Sequence, residues 1–394
     1  MDEPEDRAVP WWHRAVLALE ARVERSALAA RRRQAPPAHI AAYRAFANAS
    51  GVTLSGRVLA HAPRGGPMAD DPWWTNLAGT FRRFATHELP GVELRCRFAG
   101  VEVTVHSDDE GYYRARIDIP GGVSGAMWQE AEVAVADGSL STRQPVLVVP
   151  ADAQFGIVSD IDDTVLESSI TRWQTAMKLA LLHNARTRKP LEGAAGLYRA
   201  LQRGTRDTAT NPLFYVSSSP WNLYDLLDEF MTVNEIPHGP IFLRDIGFDP
   251  DKFLKSEGHG HKLDAIRGLF GEYPDLGWVL IGDSGQHDAM LYATAAREFP
   301  GRVRAIYIRD VDPDADGSPY DRFADEHIGS VAPLGVPFLR VRDSRTIAAH
   351  AASIGLIQAV DQGPVAADAA KDAARPTIAE ATIASRTTGS ADRA

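Results

Sequence analysis

This chain has a single cysteine, no long apolar segment and no excess of positive charge. Cys96 is the only cysteine among 394 residues, which excludes an intrachain disulfide and a zinc site built from cysteines. No stretch approaches the roughly 20 apolar residues of a membrane span, and the acidic start, MDEPEDRAVP, lacks the apolar core of a signal peptide. These absences predict a cytoplasmic protein whose membrane contacts are at most peripheral.

Acidic residues outnumber basic ones, with 52 Asp and Glu against 42 Lys and Arg and a net charge of −10. This balance disfavours nucleic acid as a ligand, although it leaves room for local basic patches. The apolar share of 44% and the charged share of 24% are close to those of folded globular proteins. The length predicts two domains with tails.

In the first part of the chain, the spacing of apolar residues changes near residue 49 from a helical pattern to the alternation typical of strands. Within residues 1–48, the stretch 11–33 is rich in Ala, Leu, Arg and Glu at helical spacing, which predicts a helical segment. Residues 49–150 alternate or run β-branched between Gly, Pro and Asp turns, which predicts a small antiparallel β-sandwich with a helical insertion. This domain shows no catalytic constellation, so we expect a scaffold or a binding surface for a protein partner that the sequence does not identify. Residues 359–394 have few large apolar groups and are predicted to be a disordered tail.

Residues 151–358 alternate between apolar strands and amphipathic helices. Five such strands with helical crossovers predict an α/β domain with a three-layered parallel sheet. Polar residues follow the predicted strands: Asp160 and Asp162 after the first, Ser217 after the second and Asp283 after the fourth. Because chemistry in such sheets gathers at the carboxyl ends of strands, we expect these side chains to share one site.

The stretch FGIVSDIDDTVLESS, residues 155–169, places three carboxylates within four positions after an apolar strand. Asp160, Asp162 and Asp163 repel one another, and burying a carboxylate without a partner is costly. A divalent cation in the same pocket would make this density tolerable.

Four motifs follow one another within residues 151–358: DIDDTV, YVSSSP, HKLDAI with Lys262, and IGDSGQHD. Together they resemble the motifs of the haloacid dehalogenase phosphatase superfamily. With the flanking words FYVSSSPWNLYDLL and GPIFLRD, residues 150–345 resemble the catalytic domain of the actin-patch-type phosphatidate phosphatases, relatives of lipins. The resemblance implies a haloacid-dehalogenase-like fold and a hydrolase of lipid metabolism that converts phosphatidate to diacylglycerol and phosphate.

The resemblance implies a division of roles among the acidic residues that phosphoryl-transfer chemistry supports. Asp160 would be the nucleophile that forms an aspartyl-phosphate, and Asp162 would be the general acid and then the base. The expected cofactor is Mg²⁺, which prefers oxygen ligands. Its predicted ligands are Asp160, Asp162 through its carbonyl, Asp283 and Asp288, the last directly or through water.

The phosphate-binding residues that the resemblance implies are Thr164, Ser217, Ser218 and Lys262. Ser217 would donate a hydrogen bond to a phosphoryl oxygen, with the backbone N–H groups of Ser217 and Ser218 nearby. Lys262 would neutralise charge between Asp160 and the phosphate. Thr164 would contact phosphate or orient the loop.

The segment between the first two motifs, residues 169–193, has room for a small helical cap. Two interpretations stay open. Its apolar face packs on the domain, or it dips into lipid while Arg186, Arg188 and Lys189 hold anionic headgroups. His259 and His261 are interpreted as part of a loop that lines the site rather than as zinc ligands, because no third ligand of suitable spacing is near.

Three functions therefore remain at this point. The first is hydrolysis of phosphatidate. The second is hydrolysis of a soluble phosphomonoester by the same machinery. The third is a module that binds anionic lipids without turnover, which the presence of Asp160, Asp162, Ser217, Lys262 and Asp283 disfavours.

Overall fold

The computed structural model describes residues 37–61, 88–161, 192–244, 260–284, 287–310 and 319–374. These residues form two β-sheets, one in each half of the chain, and helices pack on the second sheet. None of the helices in these ranges combines the length and the apolar character that a membrane span requires.

The first sheet has eight strands in the order β1-β3-β2-β8-β7-β4-β5, and β6 pairs with β3. Its strands are β1 (His39–Ala42), β2 (Ala45–Asn48), β3 (Gly51–Leu59), β4 (Glu93–Phe98), β5 (Val101–His106), β6 (Tyr112–Asp118), β7 (Trp128–Val135) and β8 (Ser141–Val148). Buried and exposed residues alternate along β4 and β6, because successive side chains of a strand point to opposite faces. The sheet is mixed, since β2 lies parallel to β8 while the other pairs are antiparallel. It therefore differs from the predicted antiparallel sandwich.

The predicted helical segment 1–48 is wrong over its last ten residues. β1 and β2 lie there and pair with β3, with Ile40, Ala45 and Ala47 buried. These strands have only four residues each, too few to show a period of two against the helical pattern that precedes them. Residues 1–36, including the helical stretch 11–33, lie outside the described residues.

The second sheet has six parallel strands in the order β11-β10-β9-β12-β13-β14. They are β9 (Gly156–Asp160), β10 (Leu213–Pro220), β11 (Ile241–Arg244), β12 (Trp278–Asp283), β13 (Val303–Arg309) and β14 (Phe338–Val341). The predicted parallel α/β sheet is thus confirmed, with β14 as a sixth strand at its edge. The chain leaves β9 toward β10 and later returns to its other side at β12, which creates a crevice at the carboxyl end of β9.

Helices cover both faces of the second sheet. They are α1 (Ala194–Arg203), α2 (Tyr224–Val233), α3 (Gly260–Glu272), α4 (Asp288–Glu298), α5 (Pro319–Val331), α6 (Ser344–Ser353) and α7 (Gln362–Ala373). Successive side chains of β10 pack on opposite faces of the sheet. Tyr215 lies in the hydrophobic cluster that contains α1, and Val216 lies in the cluster that contains α3 and α4. The three layers are therefore helices, sheet and helices.

Helix α7 corrects the prediction of a disordered tail from residue 359. Val365 and Ala369 are buried in it, and Asp372 accepts a hydrogen bond from the Gly193 N–H at 3.0 Å. A Cβ atom on Gly193 would lie 3.1 Å from the Ala369 Cβ, so small residues let this segment pack closely against α1. A composition poor in large apolar groups therefore does not prevent burial here.

The two sheets share a packed interface. The Tyr43 ring stacks on Trp221, with centroids 4.8 Å apart, and Phe46 packs among apolar residues of the second sheet. Tyr224 Oη accepts a hydrogen bond from the Arg44 N–H at 2.6 Å, and Tyr273 Oη donates to the Ala47 carbonyl at 2.9 Å. The N-terminal sheet is thus a direct packing partner of the α/β domain.

Candidate active site

Four of the predicted site residues meet at the carboxyl edge of the second sheet: Asp160, Lys262, Asp283 and Asp288. Asp160 is the last residue of β9 and Asp283 is the last residue of β12. These strands are adjacent and parallel, with Ile281 opposite Ser159, so their ends lie side by side. Asp288 begins α4, a few residues after β12. Strand adjacency therefore brings together acids that are more than 120 positions apart in the sequence.

Asp160, Asp283 and Asp288 form a compact buried cluster. One carboxylate oxygen of each lies within 4.8 Å of the others, and all three residues have no solvent exposure. Carboxylates this close together and removed from water repel one another strongly unless positive charge compensates them.

Lys262, in the first turn of α3, supplies part of that charge. Its Nζ lies 2.9 Å from Asp160 Oδ1 and 2.8 Å from Asp288 Oδ1, and the residue is only 1% exposed. Burial by itself lowers the pKa of Lys262, but Asp160, Asp288 and Asp283 outweigh burial and raise that pKa above its ordinary value. Lys262 is therefore an ammonium group at neutral pH.

The donor set of this cluster fits a divalent metal ion. Three carboxylates face one ammonium group within the described residues, and carboxylate oxygens are the ligands of hard cations such as Mg²⁺ and Ca²⁺. The buried acids could therefore hold a metal ion.

Gly282 makes the position of Asp288 possible. A Cβ atom at Gly282 would lie 2.5 Å from Asp288 Oδ2 and 2.8 Å from a ring carbon of Tyr292. Without it, the Asp288 carboxylate reaches the Asp283 N–H at 3.3 Å, and Tyr292 Oη donates to the Ile281 carbonyl at 3.0 Å. The IGDSGQHD motif needs glycine at position 282 because the start of α4 packs directly on the end of β12.

Ser159 and Tyr198 hold the backbone at the end of β9, and sequence reasoning missed both. The Ser159 hydroxyl donates to the Asp160 carbonyl at 2.7 Å and lies 2.6 Å from Tyr198 Oη. Burial raises the pKa of Tyr198, so its hydroxyl keeps its proton. Ser159 stands inside the SDIDD stretch, but only the fold shows that a tyrosine of α1 reaches it.

Ser217 and Ser218 lie on β10, which flanks β9 on the side opposite to β12 and Asp283. Val216 of β10 is opposite Asp160, so the two serines lie just beyond the level of that carboxylate. Ser217 is fully buried, and its hydroxyl accepts a hydrogen bond from the Ser219 N–H at 3.0 Å. The Ser218 hydroxyl oxygen is buried, and within the described ranges nothing hydrogen-bonds to it.

Two of the predicted site residues, Asp162 and Thr164, lie outside the described residues, as does most of the predicted cap segment 169–193. Their roles stay predictions. The structure brings together Asp160, Asp283, Asp288 and Lys262, and it places Ser217 and Ser218 on the neighbouring strand.

Comparison with known proteins places this site in a family context. Residues 155–310 match the family model described as "Phosphatidate phosphatase APP1, catalytic domain". Phosphatidate phosphatase APP1 of Saccharomyces cerevisiae is 32% identical over 156 residues, which are 39% of this chain and 26% of that protein. An uncharacterised protein of Schizosaccharomyces pombe is 33% identical over 161 residues, or 40% of this chain and 25% of that protein. The chain thus spans about a quarter of the length of the curated relatives it matches.

Among solved structures, a carbohydrate acetylesterase from Xanthomonas citri aligns over 73% of this chain and 72% of that chain at 11% identity, with a TM-score of 0.24. A score this low supports no conclusion on fold or function. The family match, by contrast, contains Asp160, Ser217, Lys262, Asp283 and Asp288. It confirms the resemblance predicted from the motifs: residues 155–310 are similar to the catalytic domain of APP1-type phosphatidate phosphatases.

Proposed function

We propose that this chain is a Mg²⁺-dependent phosphatidate phosphatase, which hydrolyses phosphatidate to diacylglycerol and phosphate. The observation that carries the proposal is the buried cluster of Asp160, Asp283 and Asp288 around Lys262, within a segment that matches a phosphatidate phosphatase catalytic domain. The carboxylates would hold the metal and the nucleophile, and the lysine would balance their charge.

Asp160, Asp283 and Asp288 would hold the Mg²⁺ ion, with the Asp162 carbonyl as a further ligand. When bound, the ion supplies positive charge that neutralises the phosphoryl oxygens during transfer. The burial of the three acids keeps water from screening that charge.

The chain's own residues carry the two chemical steps. The Lys262 contact holds the Asp160 carboxylate in one orientation, from which an oxygen attacks phosphorus. The bond between phosphorus and the leaving oxygen breaks, and that oxygen takes a proton from the Asp162 carboxyl group. Asp162 then accepts a proton from water, the water oxygen bonds to phosphorus, and the bond between Asp160 and phosphorus breaks to release phosphate.

Ser217, Ser218 and Thr164 would bind the phosphoryl oxygens. Support for the serines comes from their position at the end of β10, next to Asp160, and from the buried Ser218 hydroxyl. A phosphatidate substrate also requires peripheral contact with an anionic membrane surface. Arg186, Arg188 and Lys189, which lie outside the described residues, are the proposed lipid contacts.

Phosphate release from phosphatidate in mixed micelles tests the proposal, with Mg²⁺ or with a chelator and beside a panel of soluble phosphomonoesters. We expect Mg²⁺-dependent release by the wild-type chain and a loss of at least about a thousandfold in Asp160→Asn, since that change removes the nucleophile at nearly constant shape. Asp264→Asn, a change at an exposed acid of α3 that pairs with Arg267, is the matched control and should stay active.

The outcomes separate the three functions. Release from soluble esters alone would keep the mechanism and reject phosphatidate as substrate. Binding of phosphatidate vesicles without release from any ester would instead show a module that binds anionic lipid. Wild-type turnover by Asp160→Asn would refute the proposed mechanism.

A further inference from the structure

A second group of polar side chains borders the site on the flank away from the acidic cluster. Ser218 lies near the end of β10, Arg244 ends β11 and pairs in register with Pro220, and His261 lies in the first turn of α3 directly before Lys262. In the sheet order β11-β10-β9-β12, β10 and β11 lie on one side of Asp160 and Asp283 lies on the other. The proposed reaction uses neither Arg244 nor His261.

His261 is half-buried, yet both of its ring nitrogens are shielded from solvent, and one of them reaches the Ser217 backbone. Burial, Lys262 and Arg244 lower its pKa to about 4, and the Ser217 backbone and Asp264 oppose part of that shift. The ring therefore lies near the Ser217 backbone and is neutral at pH 7. A neutral imidazole has one N–H donor and one acceptor nitrogen.

Buried polar atoms without partners are uncommon because each costs about 1–3 kcal/mol. Here the Ser218 hydroxyl and one ring nitrogen of His261 are such atoms, and they lie on adjacent elements at the rim of one site. The positive charges of Arg244 and Lys262 both act on His261, and the negative charge of Asp264 opposes part of their effect. Hydrogen-bond donors in a positive field suit an anionic oxygen ligand.

We propose that Ser218, His261 and Arg244 form a subsite that binds phosphoryl oxygens of the substrate's phosphomonoester group. This inference rests on the proposed function, which places the phosphorus next to Asp160, and it adds His261 and Arg244 to the phosphate-binding set. The phosphoryl group would then have the metal-binding acids and Lys262 on one side. On its other side it would have the hydrogen-bond donors of the subsite. The same chemistry would recognise the phosphate of a lipid headgroup and free phosphate.

Binding of inorganic phosphate to the full chain in the presence of Mg²⁺ tests the subsite, measured by calorimetry. A hydrogen bond to a charged group is worth about 1.5–3 kcal/mol, so we expect His261→Leu to raise the Kd of phosphate about tenfold or more. Ser218→Ala should raise it in the same direction. The KM values for phosphatidate and for a soluble phosphomonoester should rise together, because both esters carry the same phosphoryl group.

Two further variants separate binding from packing. His106→Leu changes an exposed histidine at the end of β5 and should leave the Kd unchanged. His261→Gln keeps one amide donor and should recover part of the lost affinity, which a purely structural role of the ring would not produce. Thermal unfolding identifies any variant that does not fold, and Ser218→Ala then provides the test.

An unchanged phosphate Kd in folded His261→Leu and Ser218→Ala would overturn the subsite. So would a rise in KM for phosphatidate alone, because it would place the contact on the lipid. If the wild-type chain hydrolyses phosphatidate and the variants bind phosphate normally, the proposed function stands and the subsite fails. If no ester is hydrolysed but His261→Leu weakens phosphate binding, the subsite stands and the proposed function fails.

Discussion

Lys262→Met would remove the ammonium group that lies between Asp160 and Asp288 while keeping an unbranched side chain of similar length. Both contacts are short, at 2.9 Å and 2.8 Å, and both carboxylates are buried with the lysine. Removing one partner of a buried ion pair costs about 3–5 kcal/mol, because the remaining charge is left uncompensated. We expect a loss of that size in the free energy of unfolding at pH 7.5 without metal.

Urea unfolding of the full chain measures the loss, with the wild type and Lys371→Met in parallel. Lys371 is 60% exposed and lies 3.9 Å from Glu235, so its replacement should change the free energy of unfolding by no more than about 0.5 kcal/mol. Added Mg²⁺ should restore part of the stability of Lys262→Met, since a cation among the carboxylates replaces the missing charge.

An unfolding midpoint for Lys262→Met equal to that of the wild type would refute the reasoning. It would mean that the three carboxylates are not ionised together or that another group compensates them. A loss that Mg²⁺ leaves unchanged would count against the cluster as a metal site.

Two further predictions concern the site and the interface between the sheets. Gly282→Ala should push the Asp288 carboxylate away, because the new Cβ would lie 2.5 Å from its oxygen. We expect a fall in activity of about tenfold or more and a weaker response to Mg²⁺ in a metal titration, whereas Gly268→Ala, whose Cβ meets nothing within 4 Å, should behave as the wild type. Tyr273→Phe should lower the free energy of unfolding by about 1–2 kcal/mol in urea, because the Ala47 carbonyl loses a buried donor; an unchanged value would show that this interface bond contributes nothing to stability.

The sequence predicts more of the site than of the fold of the N-terminal sheet. Asp160, Asp283 and Lys262 stand next to apolar strands or at a helix start in recognisable motifs, and parallel strands bring such ends together. By contrast, β1 and β2 are too short for their period to be read, and they form because β3 and β8 offer hydrogen-bonding edges. The Tyr43 and Phe46 contacts that join the two sheets have no local signature, because their partners lie far along the chain.

The sequence by itself determined the alternating α/β domain, the strand ends that carry acids and serines, and the resemblance to a phosphatase. Those features depend on local period and on motifs, which a linear chain displays directly. The tertiary structure alone decided that α7 packs on α1 through small residues, that Tyr198 supports the end of β9 through Ser159, and that His261 lies beside the Ser217 backbone. Each of these depends on contacts between residues distant in sequence, and such contacts exist only once strand order and helix packing have brought the residues together.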